Sequence, residues 1–139
     1  MKPTVVFFAI LSAVLCDGCN ETSAERIPGG AYAYTSYDSS GVALVKGWLT
    51  IIVSDSGTVS GEWHFVPIGA PRQVGPQTGD GMLVGGTDDG KLWIELNPRV
   101  RNNNLQLNGT HADGRCAGQW TWISYTGMAN GGTFEALRK

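Results

Sequence analysis

Apolar residues recur at every second position through most of this chain, and a period of two leaves few folds open. Leu49, Ile51 and Val53 alternate in one segment; Val59, Gly61, Trp63 and Phe65 alternate in the next against Ser60, Glu62 and His64. The pattern continues through Leu92, Ile94 and Leu96, then Leu105 and Leu107, then Cys116, Gly118, Trp120 and Trp122, and closes with Phe134 and Ala136. From Gly30 onward no helical period of any length competes with it.

Between these runs stand three clusters with definite turn chemistry: Asp55-Ser56-Gly57, Asp88-Asp89-Gly90 and Ala112-Asp113-Gly114. Asp bonds its own backbone and Gly supplies positive φ, so each cluster makes a tight hairpin. The spacing predicts eight strands, near 30–37, 42–54, 58–66, 81–87, 91–97, 104–110, 115–125 and 132–138. Short connections make neighbours antiparallel. Hairpin-level echoes agree: Val59-Ser60-Gly61-Glu62-Trp63 parallels Cys116-Ala117-Gly118-Gln119-Trp120. Their irregular spacing excludes a solenoid.

Strands with one apolar face and no helix to cover it must close or stack, and closure removes the exposed edges. The fold class is therefore all-β, a single eight-stranded antiparallel up-and-down barrel, with a two-sheet β-sandwich as the alternative. In its meander and repeated Gly-x-Trp the segment 30–138 resembles the calycin group, the lipocalins and avidins. The Gly-x-Trp expected near a lipocalin's N-terminus is missing, and 132–135 does not match an avidin's C-terminal pattern, so no biotin-site residue is carried over.

A meander sends its connections alternately to opposite ends of the barrel. One end collects the three tight turns; the other collects 38–41, the long loop 67–80, 98–103 and 126–131. Long loops on a rigid sheet are where binding usually resides. Trp63, Phe65, Trp120, Trp122 and Phe134 fall in the half nearest those loops, where an aromatic-lined mouth would suit a small apolar or aromatic ligand. Arg72, Gln73 and Gln77 on the long loop supply polar contacts. The same rings are equally what a small β domain packs as core, and Gly61 and Gly118 beneath them either leave room or accommodate a neighbouring Trp. Trp93 falls on the outer face and, with Arg72, Arg99 and Arg101, marks the surface of the alternative reading, an envelope protein–protein interaction module or a protease inhibitor using the long loops.

The N-terminal stretch gives an address. Lys2 precedes an apolar run from Thr4 to Leu15 that is too short to span a bilayer and has the layout of a secretory signal. Cys16-Asp17-Gly18-Cys19 follows, and small Gly18 before Cys19 resembles the end of a bacterial lipoprotein signal. That resemblance implies acylation at Cys19, with Asn20 next to it directing the protein to the outer membrane. Cys16 as acceptor would follow bulky Leu15 and bring Asp17 alongside, the inner-membrane retention signal. Plain export, with cleavage after Gly18 or Ala24, is the alternative. The organisation expected is a signal peptide over 1–18, a tether over 19–29 and a barrel over 30–139. Cleavage leaves about 120 residues, enough for one domain without staples.

Charge and chemistry exclude several classes. The formal net charge is −2, with acidic and basic residues interspersed and no basic stripe, which disfavours a nucleic-acid partner. The two histidines, His64 on a strand's polar face and His111 in a turn, have no partners at metal-ligand spacing, and each reads as a surface or turn residue. No nucleophile elbow or phosphate loop appears, and Glu62, Glu95 and Glu135 alternate outward, away from any shared pocket. Cys116 faces inward as a small hydrophobe. No catalytic residue, metal or cofactor is expected, and the protein reads as non-catalytic.

Overall fold

The computed structural model describes residues 26–139. The signal segment, Cys16, Cys19 and most of the tether lie outside the described residues.

Eight antiparallel strands follow in chain order: β1 (Gly30–Tyr37), β2 (Ala43–Val53), β3 (Thr58–Pro67), β4 (Gly79–Asp88), β5 (Lys91–Glu95), β6 (Asn103–Ala112), β7 (Arg115–Ser124) and β8 (Gly127–Arg138). Each pairs with the next, and β8 returns to β1 in a register running from Tyr32 opposite Arg138 to Tyr37 opposite Thr133. The sheet is thus a closed barrel, not a sandwich. Across this seam Tyr37 Oη donates to Glu135 Oε1 at 2.8 Å, and from β7 on the other side of β8 the Arg115 guanidinium reaches Glu135 Oε2 at 3.2 Å.

The alternating residues point where their period places them. Leu49, Ile51, Val59, Trp63, Phe65, Leu83, Leu92, Ile94, Leu105, Leu107, Cys116, Trp120, Phe134 and Ala136 form one buried core. Two of the hairpins are Asp-Gly turns with both residues at positive φ, Asp89 (52°) with Gly90 (77°) and Asp113 (51°) with Gly114 (73°). That is the type I′ geometry whose twist matches the flanking strands.

Gly61 and Gly118 do not leave space inside. A Cβ on Gly61 would lie 1.9 Å from the Thr50 carbonyl oxygen, and one on Gly118 would lie 2.0 Å from that of Asn108. Neighbouring backbone occupies the position, so these glycines let the strands coil tightly enough to close a small barrel.

Two sequence expectations change. The segment 126–131 is not a loop: β8 begins at Gly127 and pairs with the end of β7, Trp122 opposite Asn130 and Ser124 opposite Gly127, across a bulge at Trp122/Ile123. The β-rich Trp-Thr-Trp-Ile run of β7 carries its Gly- and Asn-rich partner into the ladder, leaving only Tyr125 and Thr126 as the turn. His111 is neither in a turn nor at the surface. Strand β6 continues its alternation to Ala112, which turns His111 inward beside Cys116.

The segment before β1 packs on the hairpin end, beside a concavity of about 420 Å³ between residues 26–27 and the turns at 53–57 and 87–90. Ile27 is buried there, Tyr32 Oη donates to the Pro28 carbonyl at 2.6 Å, and Arg138 Nη2 donates to that of Gly29 at 3.3 Å.

Candidate functional site

The aromatic side chains gather at the loop end. Trp63 and Phe65 from β3, Trp120 from β7 and Phe134 from β8 are all buried, on strands whose inward positions converge there. Tyr32 and Tyr34 from β1 join the core, and Tyr34 is the centre of the ring cluster. Its ring stacks on Phe65 with centroids 4.0 Å apart and planes 8° from parallel, and on Phe134 at 5.8 Å and 21°. Trp63 tilts against Phe65 at 5.1 Å. Sequence reading missed Tyr34. The signal was present in the alternation of Tyr32, Tyr34 and Ser36 with Ala31, Ala33 and Thr35, but tyrosine suits either face of a strand.

Three indole N–H groups fasten the rings to the rim. Trp63 Nε1 donates to the Leu96 carbonyl and Trp120 Nε1 to that of Tyr37, both at 2.9 Å, while Trp122 Nε1 donates to Asn103 Oδ1 at 2.8 Å. Trp122 also faces inward, but it lies at the rim and stays partly exposed.

The long loop, residues 68–78, does not stand away from this mouth but lies across it. Gly75 presses on the Trp122 ring so closely that a Cβ there would approach it to 2.6 Å, and its φ of 62° suits glycine. Asn130 Nδ2 donates to the Gln73 carbonyl at 2.8 Å, and Asn97 Nδ2 to that of Pro76 at 3.4 Å. Gln77 turns into the barrel and is 0% exposed, accepting a hydrogen bond from Tyr34 Oη at 3.4 Å. Its Nε2 has no hydrogen-bond partner, and Ser36 Oγ, near the Tyr34 phenol, makes none of good geometry either. Burial pushes the Tyr34 phenol far above its ordinary range, with the nearby Ser36 hydroxyl pulling slightly the other way. Of the three polar residues expected on this loop, only Gln77 enters the mouth; Arg72 and Gln73 are exposed on its outer side.

Trp93, Arg99 and Arg101 of the alternative surface come from a strand and from the connection that follows it. Trp93 is 51% exposed on the outer wall, its indole lying across Gly86, whereas Arg99 and Arg101 sit on the connection 96–102 at the loop end. A concavity of about 270 Å³ lies beside that connection, lined by Met82, Val84, Leu96, Pro98, Arg99 and Val100. On the neighbouring wall His64 stacks on Trp48 at 6.1 Å and approaches Asp80 to 4.0 Å, all three outside the barrel. Among the described residues no group of three or more His, Cys, Asp or Glu is placed to hold a metal ion.

No family model matches this chain, and neither a curated protein nor a solved structure is significantly similar to it.

Proposed function

We propose that this protein is an exported, lipid-anchored barrel that binds a small apolar or aromatic ligand at the aromatic rim beneath loop 68–78 and performs no catalysis. The observation carrying this reading is the ring cluster of Tyr34, Trp63, Phe65, Trp120 and Phe134, gathered at one end and covered by a loop that sends a buried glutamine into it. A barrel of eight strands either fills with side chains or holds one small ligand. A lid attached through a few side-chain and packing contacts favours the second use. Export and acylation at Cys19 rest on the leader's sequence. They suit this geometry, because the chain enters the barrel at the hairpin end and a tether there would point the rim away from the membrane.

Trp63 and Trp120 serve the core as well as the rim, so truncating either would cost roughly 3–5 kcal/mol and blur the test. Trp122 is the better probe. Tryptophan emission of the native protein is expected to shift on titration with naphthalene, and Trp122→Ala to weaken binding roughly five- to tenfold while the far-ultraviolet spectrum stays that of the barrel. Absence of any shift in the native protein, with naphthalene and with a flat neutral carbonyl compound such as coumarin alike, would sink the reading. Mass spectrometry of the mature N-terminus checks the anchor, which requires a diacylated or triacylated Cys19.

The interaction-module reading retains one observation in its favour, the apolar concavity beside Arg99, whose wall includes Met82 at 65% exposure. Loss of an envelope partner on Met82→Asp, with naphthalene binding unchanged, would support it.

A further inference from the structure

Resting on the ligand-binding reading, we propose that Gln77 is the polar anchor of the rim site and selects uncharged flat ligands whose edge carries a hydrogen-bond acceptor, such as a lactone or amide carbonyl.

The polar groups at the site are unequal in number and kind. Tyr34 Oη is a donor, already turned toward Gln77 Oε1 at the long distance of 3.4 Å. Gln77 Nε2 brings two further donor hydrogens and has no partner, and the Ser36 hydroxyl stands without a well-formed bond. The one acceptor turned inward by the amide is therefore engaged, while its donor side is unmet. A buried donor left unmet is costly, and an acceptor delivered to it recovers that cost. The demand of the site is for an acceptor.

Charge is excluded by the same surroundings. The buried polar residues among those described are Ser36, Gln77, Asn104 and His111, and no Lys, Arg, Asp or Glu is among them. Asn104 is engaged at its Oδ1 by the Asn97 backbone N–H at 3.0 Å, and His111 lies at the opposite end of the barrel. A carboxylate or ammonium entering here would be buried without a counter-charge. Flatness follows from the rings: Tyr34, Phe65 and Phe134 lie within 21° of parallel in the two stacked pairs that Tyr34 makes, an array a planar guest extends by stacking. Entry requires residues 69–78 to lift, which breaks the Asn130–Gln73, Asn97–Pro76 and Tyr34–Gln77 bonds and the packing of Gly75 on Trp122; closure of the loop then brings Gln77 back onto the guest.

Three probes of similar size separate the terms: coumarin, flat and neutral with a lactone carbonyl; naphthalene, flat and neutral with no acceptor; and 2-naphthoate, flat and charged. Binding is followed by tryptophan emission, and the Gln77 side-chain NH₂ by its ¹H–¹⁵N resonance. Coumarin is expected to bind about tenfold more tightly than naphthalene, with 2-naphthoate weakest, and to shift the Gln77 NH₂ signal. Gln77→Leu keeps the side chain's volume, removes the unmet donor and should reduce the coumarin preference to about twofold. Equal binding of coumarin and naphthalene, or a preference that survives Gln77→Leu, would overturn the anchor and leave the ligand-binding reading standing. Failure of all three probes to bind would overturn both.

Discussion

Glycine in a strand interior ordinarily weakens it, yet here Gly61 and Gly118 sit at inward positions of β3 and β7 where any side chain meets a neighbouring carbonyl. Their role is one of shape: without a Cβ, the next strand's backbone fills the interior in place of a side chain. Gly118→Ala should therefore destabilise the barrel far more than a strand-interior Gly→Ala exchange normally would, by about 3 kcal/mol or more, because the contact it creates is with backbone that cannot rotate away. Urea unfolding followed by tryptophan emission measures this. A loss under about 1 kcal/mol would mean the strands relax easily at that point.

At the scale of elements, loop 68–78 and the β7–β8 hairpin behave as one unit, joined by the Asn130 to Gln73 bond and by Trp122 under Gly75. Asn130→Ala removes the side-chain tie and should raise acrylamide quenching of the rim tryptophans while lowering stability by only about 1 kcal/mol. Unchanged quenching would show that Gly75 packing alone holds the loop. This is also the scale at which sequence reading succeeded and failed. Strands β1 to β7, the closed barrel and the two Asp-Gly turns were legible because a period of two and positive-φ residues are local signals. The start of β8 was hidden because Gly127, Asn130, Gly131 and Gly132 have loop composition, and only pairing with β7 draws them into the sheet. Gln77 was among the polar contacts expected on the long loop, but nothing local set it apart from Arg72 and Gln73: a glutamine between Pro76 and Thr78 carries no period, and its buried oxygen meets a tyrosine 43 positions away. Trp63, Phe65, Trp120 and Phe134 were found as inward rings by their alternation, whereas Tyr34 was passed over because tyrosine tolerates water at one end.

For the molecule as a whole, the interior sets a limit on alkaline stability. Burial pushes the Cys116 thiol up to about 11 from 9.0, and it raises the Tyr34 phenol above its ordinary 10.0. Both are neutral acids that the fold holds protonated and the unfolded chain releases sooner. The stability they confer is present in full below about pH 9 and is lost as the pH rises through 11, with Tyr34 extending the loss above 10. Urea midpoints should stay level from pH 7 to 9 and then fall, the Cys116 contribution amounting to about 2 kcal/mol. Cys116→Ala should move the onset toward pH 10. A level profile to pH 11 in the native protein would contradict this account.

The start of β1 and the end of β8 lie side by side: Lys139 N donates to the Ala31 carbonyl at 3.0 Å, and Arg138 reaches Gly29. The two ends could be joined by a short peptide bridge and the circle reopened at Tyr125, which is 86% exposed at the tip of the β7–β8 hairpin. Such a permuted chain would begin and finish beside the lid, placing a reporter dye or fused sensor within reach of whatever passes beneath it.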